Sequence, residues 1–177
     1  ETTVPYGTSV KFTATVESNS SSGITYQWYR NGVAIQNATT NTLVANEPVG
    51  DYTYRCDVTR DNYTLSSDTV RLTVQRIDLS NAALSATIAE RAYDGKTNAT
   101  VTASSIGSRS LTAGTDYTIS AEFEDANAGK GKKVTVKVTL TNPNYCFGYD
   151  AHNQPIMEET FETTGTITQN ITPIVKD

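Results

Sequence analysis

The sequence predicts an all-β chain of two tandem β-sandwich domains, and three observations lead there. Apolar residues alternate with polar ones along most of the 177 residues, the period of half-buried strands. A lone tryptophan, Trp28, is followed on a later strand by Tyr54-Arg55-Cys56, a pattern that marks a β-sandwich. At Gln75-Arg76-Ile77-Asp78 the strand pattern stops and restarts with a different texture. The boundary drawn there gives residues 1–76 and 77–177.

The first half divides into about seven short strands, a sandwich count. Val10, Phe12, Ala14 and Val16 alternate along one strand. Ile24 to Arg30 forms the next, with Tyr26 and Trp28 on one face. Asn31-Gly32 is a tight turn, because both residues tolerate positive φ. Val33 to Gln36 returns from it, and Thr42 to Ala45 is short. After a turn at Pro48-Val49-Gly50, Tyr52, Tyr54, Cys56 and Val58 share a face. Asp61-Asn62 turns the chain again, and Val70, Leu72 and Val74 close the domain.

In the second half, Ala83 to Ala89 reads as a weak strand and Tyr93 to Thr97 as an Asp-Gly turn. Tyr117, Ile119, Ala121 and Phe123 then alternate inward, as do Val134, Val136, Val138 and Leu140. The Gly/Asn-rich loop between them makes a hairpin. Gly148 to Glu159 reads as a long polar loop. Phe161 to Gln169 and Ile171 to Val175 are expected closing strands, the latter at an edge because of Pro173.

A Trp on one strand, with a Tyr two residues ahead of a Cys on a later one, is the pattern of an immunoglobulin-like sandwich. The runs Ile24-Thr25-Tyr26-Gln27-Trp28-Tyr29-Arg30-Asn31-Gly32 and Gly50-Asp51-Tyr52-Thr53-Tyr54-Arg55-Cys56 resemble bacterial immunoglobulin-like modules of large surface proteins. The first domain is therefore expected to be immunoglobulin-like. In that pattern the later Cys bonds a Cys on an early strand; here an alanine fills the place, with Ala14 the matching residue. The spacing Tyr54-x-Cys56 makes Tyr54 the corner tyrosine. The spacing Gly50-x-Tyr52 makes it Tyr52 and puts Tyr54 in the cysteine's place.

Tyr93-Asp94-Gly95-Lys96-Thr97-Asn98-Ala99-Thr100 resembles the YDG family, a β-module repeated in bacterial adhesins. Asp125 to Val136, beginning Asp-Ala-Asn-Ala-Gly-Lys-Gly, and Asn144-Tyr145 reinforce the likeness, which covers residues 77–177. These resemblances imply an exported polypeptide built as a string of modules and attached to a cell wall or surface. They imply no catalytic residue. Beginning at Glu1 without a methionine, the chain reads as a segment whose signal and anchor lie outside it.

Composition narrows the partners. The net charge is −5, and an acidic surface repels phosphate backbones, so no nucleic acid is expected. No apolar run approaches the roughly 18 residues of a membrane helix, so no membrane insertion is expected in this segment. The single histidine, His152, lies in a polar loop and reads as solvated. Cys56 and Cys146 fall in different domains and read as separate buried thiols. Asp125 with Asn127, or Asp94 with Asn98, offers oxygens to a cation, but neither follows a calcium-loop spacing, and turn chemistry is the commoner use. No catalytic, cofactor-binding or metal-binding residue is assigned, and the chain is not expected to be an enzyme.

The leading functional expectation is a spacer or stalk segment of an adhesin-like bacterial surface protein, with neighbouring modules of the same polypeptide as its partners. The alternative is a binding module that recognises a host protein or glycan through loops at a sandwich end. Ser18 to Gly23 and Asp61 to Ser67 are the loops to test. A third reading is an accessory module of a secreted carbohydrate-active enzyme or protease. Each reading places the chain outside the cell or on its surface.

Overall fold

Alternating sequences bury one face of each strand, so the strands must stack in layers. In the computed structural model, which describes residues 1–17 and 22–171, they stack in two compact units, Glu1–Ile77 and Asp78–Asp177. No helix occurs among the described residues.

The first unit holds β1 (Thr2–Pro5), β2 (Val10–Thr13), β3 (Thr25–Arg30), β4 (Val33–Ala34), β5 (Thr42–Ala45), β6 (Gly50–Arg60), β7 (Tyr63–Ser66) and β8 (Val70–Gln75). One sheet runs β1-β8-β6-β3-β4, with β7 also paired to β6. The other is the pair β2-β5. Asn31 and Gly32 both take positive φ, 49° and 81°, in the tight turn between β3 and β4. Side chains from the two sheets meet in a core that includes Ala45, Tyr54, Leu72 and Val74, with Phe12, Val10 and Leu43 against it.

The structure decides the corner tyrosine, and two expectations, Ala14 in the cysteine's partner place and a strand from Val10 to Val16, need correction. The corner hydrogen bond belongs to Tyr52, whose hydroxyl donates to the Pro48 carbonyl at 3.0 Å. Tyr54 therefore stands in the cysteine's place, and it faces Phe12 rather than Ala14. The Phe12 and Tyr54 ring centroids lie 4.8 Å apart, and Phe12 and Trp28 lie 6.4 Å apart. An aromatic clasp occupies the position of the inter-sheet bridge. Cys56 is the next inward residue along β6, opposite Trp28 in register, and is fully buried. The predicted strand from Val10 to Val16 is also shorter than expected. Its partner β5 begins at Thr42, and pairing runs out after Ala14 N–H donates to Asn41 O at 2.8 Å. Val16 is left 40% exposed.

Tyr54 also anchors a polar network. Its hydroxyl donates to Glu47 Oε1 at 2.7 Å, and Arg30 Nη1 donates to both Glu47 oxygens at 2.8 Å. Burial pushes the Glu47 carboxyl up. The hydrogen bonds from Arg30 and Tyr54 and the Arg30 charge outweigh that, so it lies below its ordinary value. Burial, with the Glu47 bond second, pushes the Tyr54 phenol up.

β9 (Ile77–Asp78) carries the chain into the second unit, with one residue, Arg76, between it and β8. The second unit holds β10 (Leu84–Ile88), β11 (Arg91–Ala92), β12 (Asn98–Ala99), β13 (Val101–Ile106), β14 (Tyr117–Phe123), β15 (Gly129–Leu140), β16 (Tyr145–Cys146) and β17 (Glu158–Thr168). The five-stranded sheet runs β11-β17-β15-β14-β12. The pair β10-β13 packs against it through Ala86, Ile88 and Val101. The hairpin of β14 and β15 buries Tyr117, Ala121, Phe123, Val134, Val136, Val138 and Leu140, the alternation read from sequence. The Gly148 to Glu159 stretch is less loop-like than expected. Tyr149 bridges Pro155, and Phe147 N–H donates to Ile156 O at 2.7 Å. Glu158 already belongs to β17. The expected strand from Ile171 to Val175 lies outside the described residues, except for Ile171, which is in no strand.

One glycine sets the packing distance. A Cβ at Gly165 would lie 2.8 Å from Phe123 Cε1 and 3.0 Å from Ile88 Cγ2. The Phe123 ring thus occupies the space over β17 that a side chain would fill. Gly165→Ala is expected to cost the second unit about 1–3 kcal/mol through overpacking. Denaturant unfolding monitored at a second-unit probe would measure it, and an unchanged midpoint would contradict the close approach. A pH titration tests the first unit. Glu47 sits lower when folded than when unfolded, so its contribution is present above the ordinary value of 4.5 and lost as pH falls below it. First-unit stability should fall across that window in the native chain, with a shallower fall in Glu47→Gln.

Candidate functional site

The residues that caught the eye as motifs serve the fold. Asp94 pairs with Arg91, which also donates to the Asn98 carbonyl, and accepts Lys96 N–H at 3.0 Å. Gly95 takes φ 77° beside it. The Tyr-Asp-Gly turn is therefore stapled to the strands on either side, and Tyr93 N–H donates to Thr168 O of β17 at 2.8 Å. Asp125 Oδ1 accepts Lys132 Nζ and Asn127 N–H, each at 2.7 Å. The Lys132 bond is the chief reason its carboxyl sits below the usual value. Asp116 binds Asn142 Nδ2 and Thr112 N–H, each at 2.8 Å, fixing the chain after β15. His152 N–H donates to Asp150 Oδ1 at 2.9 Å within an exposed turn. The acidic groups proposed as cation ligands are thus engaged by ammonium, guanidinium and turn N–H groups. No cluster of three or more His, Cys, Asp or Glu able to hold a metal occurs among the described residues.

What sequence reasoning did not find is a cavity of about 740 Å³ in the first unit. It opens between the two sheets, where β2 ends early. Trp28, Tyr54 and Cys56 form its buried floor. Phe12, Ala14 and Val16 line one side; Val58, Tyr63, Leu65 and Val70 line the other. Val16, Tyr63, Leu65 and Val70 are 40%, 69%, 61% and 40% exposed, so four large apolar side chains crowd one opening. Scattered exposed apolar residues need no explanation, but a contiguous set does.

The wall has a specific cause. β7 and β8 are successive parts of one edge, split by Ser67 to Thr69. Ser67 ties that break to β6: its N–H donates to Cys56 O at 2.8 Å, and its hydroxyl accepts Cys56 N–H at 3.0 Å. β7 pairs with β6 from Arg60↔Tyr63 to Asp57↔Ser66, and β1 covers only β8. Among the described residues no strand pairs with the far edge of β7, or with the edge of β2 away from β5. Around the mouth stand Glu17, Asp61 and Asp68, with Arg60 Nε 3.5 Å from Asp61.

The expected binding loops are partly corrected. Tyr63–Ser66 is strand rather than loop, following Asp61 and Asn62 at φ 50° and 64°. Its residues nevertheless line the cavity. Ser18 to Ser21 lie outside the described residues. Tyr29 lies against the Arg55 guanidinium, which is 4.4 Å from its ring centre.

Residues 79–153 match the YDG domain family. No curated protein matches the chain. Among solved structures, the fibronectin(III)-like modules of Clostridium thermocellum CbhA align over 99% of this chain and 94% of theirs, at 12% identity and a TM-score of 0.37. Sidekick-1 immunoglobulin domains 1–4 align over 97% of this chain and 46% of theirs, at 9% identity and a TM-score of 0.36. The three N-terminal domains of the bacteriophage RB49 highly immunogenic outer capsid protein align over 94% and 67%, at 13% and 0.31.

Both cysteines are free and buried, and burial pushes the Cys56 thiol up. Neither should react with a thiol reagent in the native chain, and both should react in denaturant. A count of zero in denaturant would mean the two are joined.

Proposed function

We propose that the chain is a non-catalytic structural segment, two β-modules in series within a longer adhesin-like polypeptide displayed on or secreted from a bacterial cell. The observation that carries this reading is the use made of the motif residues. Asp94, Asp116, Asp125 and Asp150 each hold a turn or strand end in place. Each unit has its own apolar core, as a repeating module requires. The YDG match over residues 79–153 supports a module of that kind in the second half. The neighbouring modules of the same polypeptide are its structural partners.

Pulling the chain end to end by single-molecule force should give two unfolding events. Units of 77 and 100 residues correspond to contour lengths of about 280 and 360 Å when extended. One event spanning both units would contradict the modular reading.

The groove in the first unit favours a second reading, in which that unit also binds a ligand. A host protein or glycan is the expected class. A mouth ringed by exposed apolar side chains is the observation that favours it.

A further inference from the structure

The groove's geometry discriminates between those ligand classes, and the inference here rests on the binding reading rather than on the spacer one. Sugars are held by exposed aromatic faces and by dense hydrogen-bonding groups. Here Trp28 and Tyr54 are 3% and 1% exposed, and the Trp28 Nε1–H is already donated to Thr40 O at 2.9 Å. Both of these aromatics are floor, which leaves Tyr63 at the lip as the single well-exposed ring among the lining residues, too few to stack a sugar from both sides. The walls are Val16, Leu65 and Val70, with Tyr63 at the lip. Backbone supplies the polar component: the far edge of β7 lies beside the opening with no strand paired to it among the described residues. An open edge next to apolar pockets is the arrangement that takes up an extended peptide. Charge narrows the choice. Glu17, Asp61 and Asp68 stand at the mouth against Arg60, which is already close to Asp61.

We propose that the groove receives an extended apolar segment of a partner polypeptide. Its backbone pairs with the open edge of β7. Its alternate side chains pack between Val16, Leu65 and Val70, and its flanking lysine or arginine residues meet the acidic mouth.

The test is a titration of the isotopically labelled 177-residue chain, followed by amide shifts. The probe is a soluble peptide of about ten residues, a usual strand length, alternating Val and Thr and ending in two lysines. Two matched peptides accompany it, one with prolines at alternate positions and one with the lysines changed to glutamates. Saturable shifts at Tyr63–Ser66 are expected. Proline, which cannot donate to a ladder, should weaken binding at least about tenfold, and the glutamate version should weaken it with a dependence on salt. Leu65→Asp should abolish binding while leaving the melting temperature unchanged, since Leu65 is 61% exposed. Val16→Asp serves the same purpose if Leu65→Asp disturbs the fold.

Absence of shifts at millimolar peptide overturns the proposal, as does equal binding of the proline peptide. A glycan array hit that shifts the groove residues while the peptides stay silent overturns the strand partner and leaves the binding reading standing. Silence from both peptides and arrays overturns both and leaves the spacer.

Discussion

The contact between Phe12 and Tyr54 holds the first unit together as a sandwich. It joins the two-stranded sheet to the larger one, and in the immunoglobulin pattern this is the place of a covalent bridge. Its strength is modest. A ring pair contributes about 1 kcal/mol beyond its burial, whereas a disulfide contributes about 2–4 kcal/mol. The remainder has to come from apolar burial around it, and Leu72, Val74 and Trp28 are nearly inaccessible to solvent for that reason. The clasp also sets the polar chemistry nearby. Glu47 accepts the buried Tyr54 hydroxyl, and the hydrogen bonds from Arg30 and Tyr54 together hold its carboxyl below the ordinary value.

The same clasp explains the groove. Phe12 sits near the end of β2, and among the described residues that segment's pairing with β5 does not extend beyond Ala14. The sheets are closed at the clasp and open past it. The second unit shows the contrasting solution. There β10 and β13 cover the core face of the five-stranded sheet, and Gly165 lets the Phe123 ring come down onto β17. One unit brings its layers together by omitting a side chain at Gly165. The other is left open by ending a strand.

Most of the architecture was legible because period-2 alternation is read directly from side chains. β14 and β15 are the clear case, with apolar residues alternating inward from Tyr117 to Phe123 and from Val134 to Leu140. β13 was not legible. Val101 and Ile106 are five residues apart, so they cannot share a face in a regular strand. Register against β10 steps from Val101 to Ala103, leaving Thr102 as an extra residue that resets the parity. The choice between Tyr52 and Tyr54 was open because both point inward, and only a hydroxyl's partner could settle it. The groove was invisible for a related reason. Tyr63 and Leu65 look like any alternating strand, and their exposure depends on what lies opposite them, a property of pairing rather than of sequence.

The two unpaired thiols have a consequence for how the chain is made. A core closed by rings assembles at the pace of collapse and strand pairing, on the order of milliseconds to seconds for such topologies. Disulfide formation and reshuffling take seconds to hours and need an oxidant. With Cys56 and Cys146 both free, neither unit waits on that chemistry. Neither core needs an oxidant to close, and the one pairing that oxidation could impose on the unfolded chain, Cys56 with Cys146, would be a wrong one. The chain can therefore mature without an oxidase.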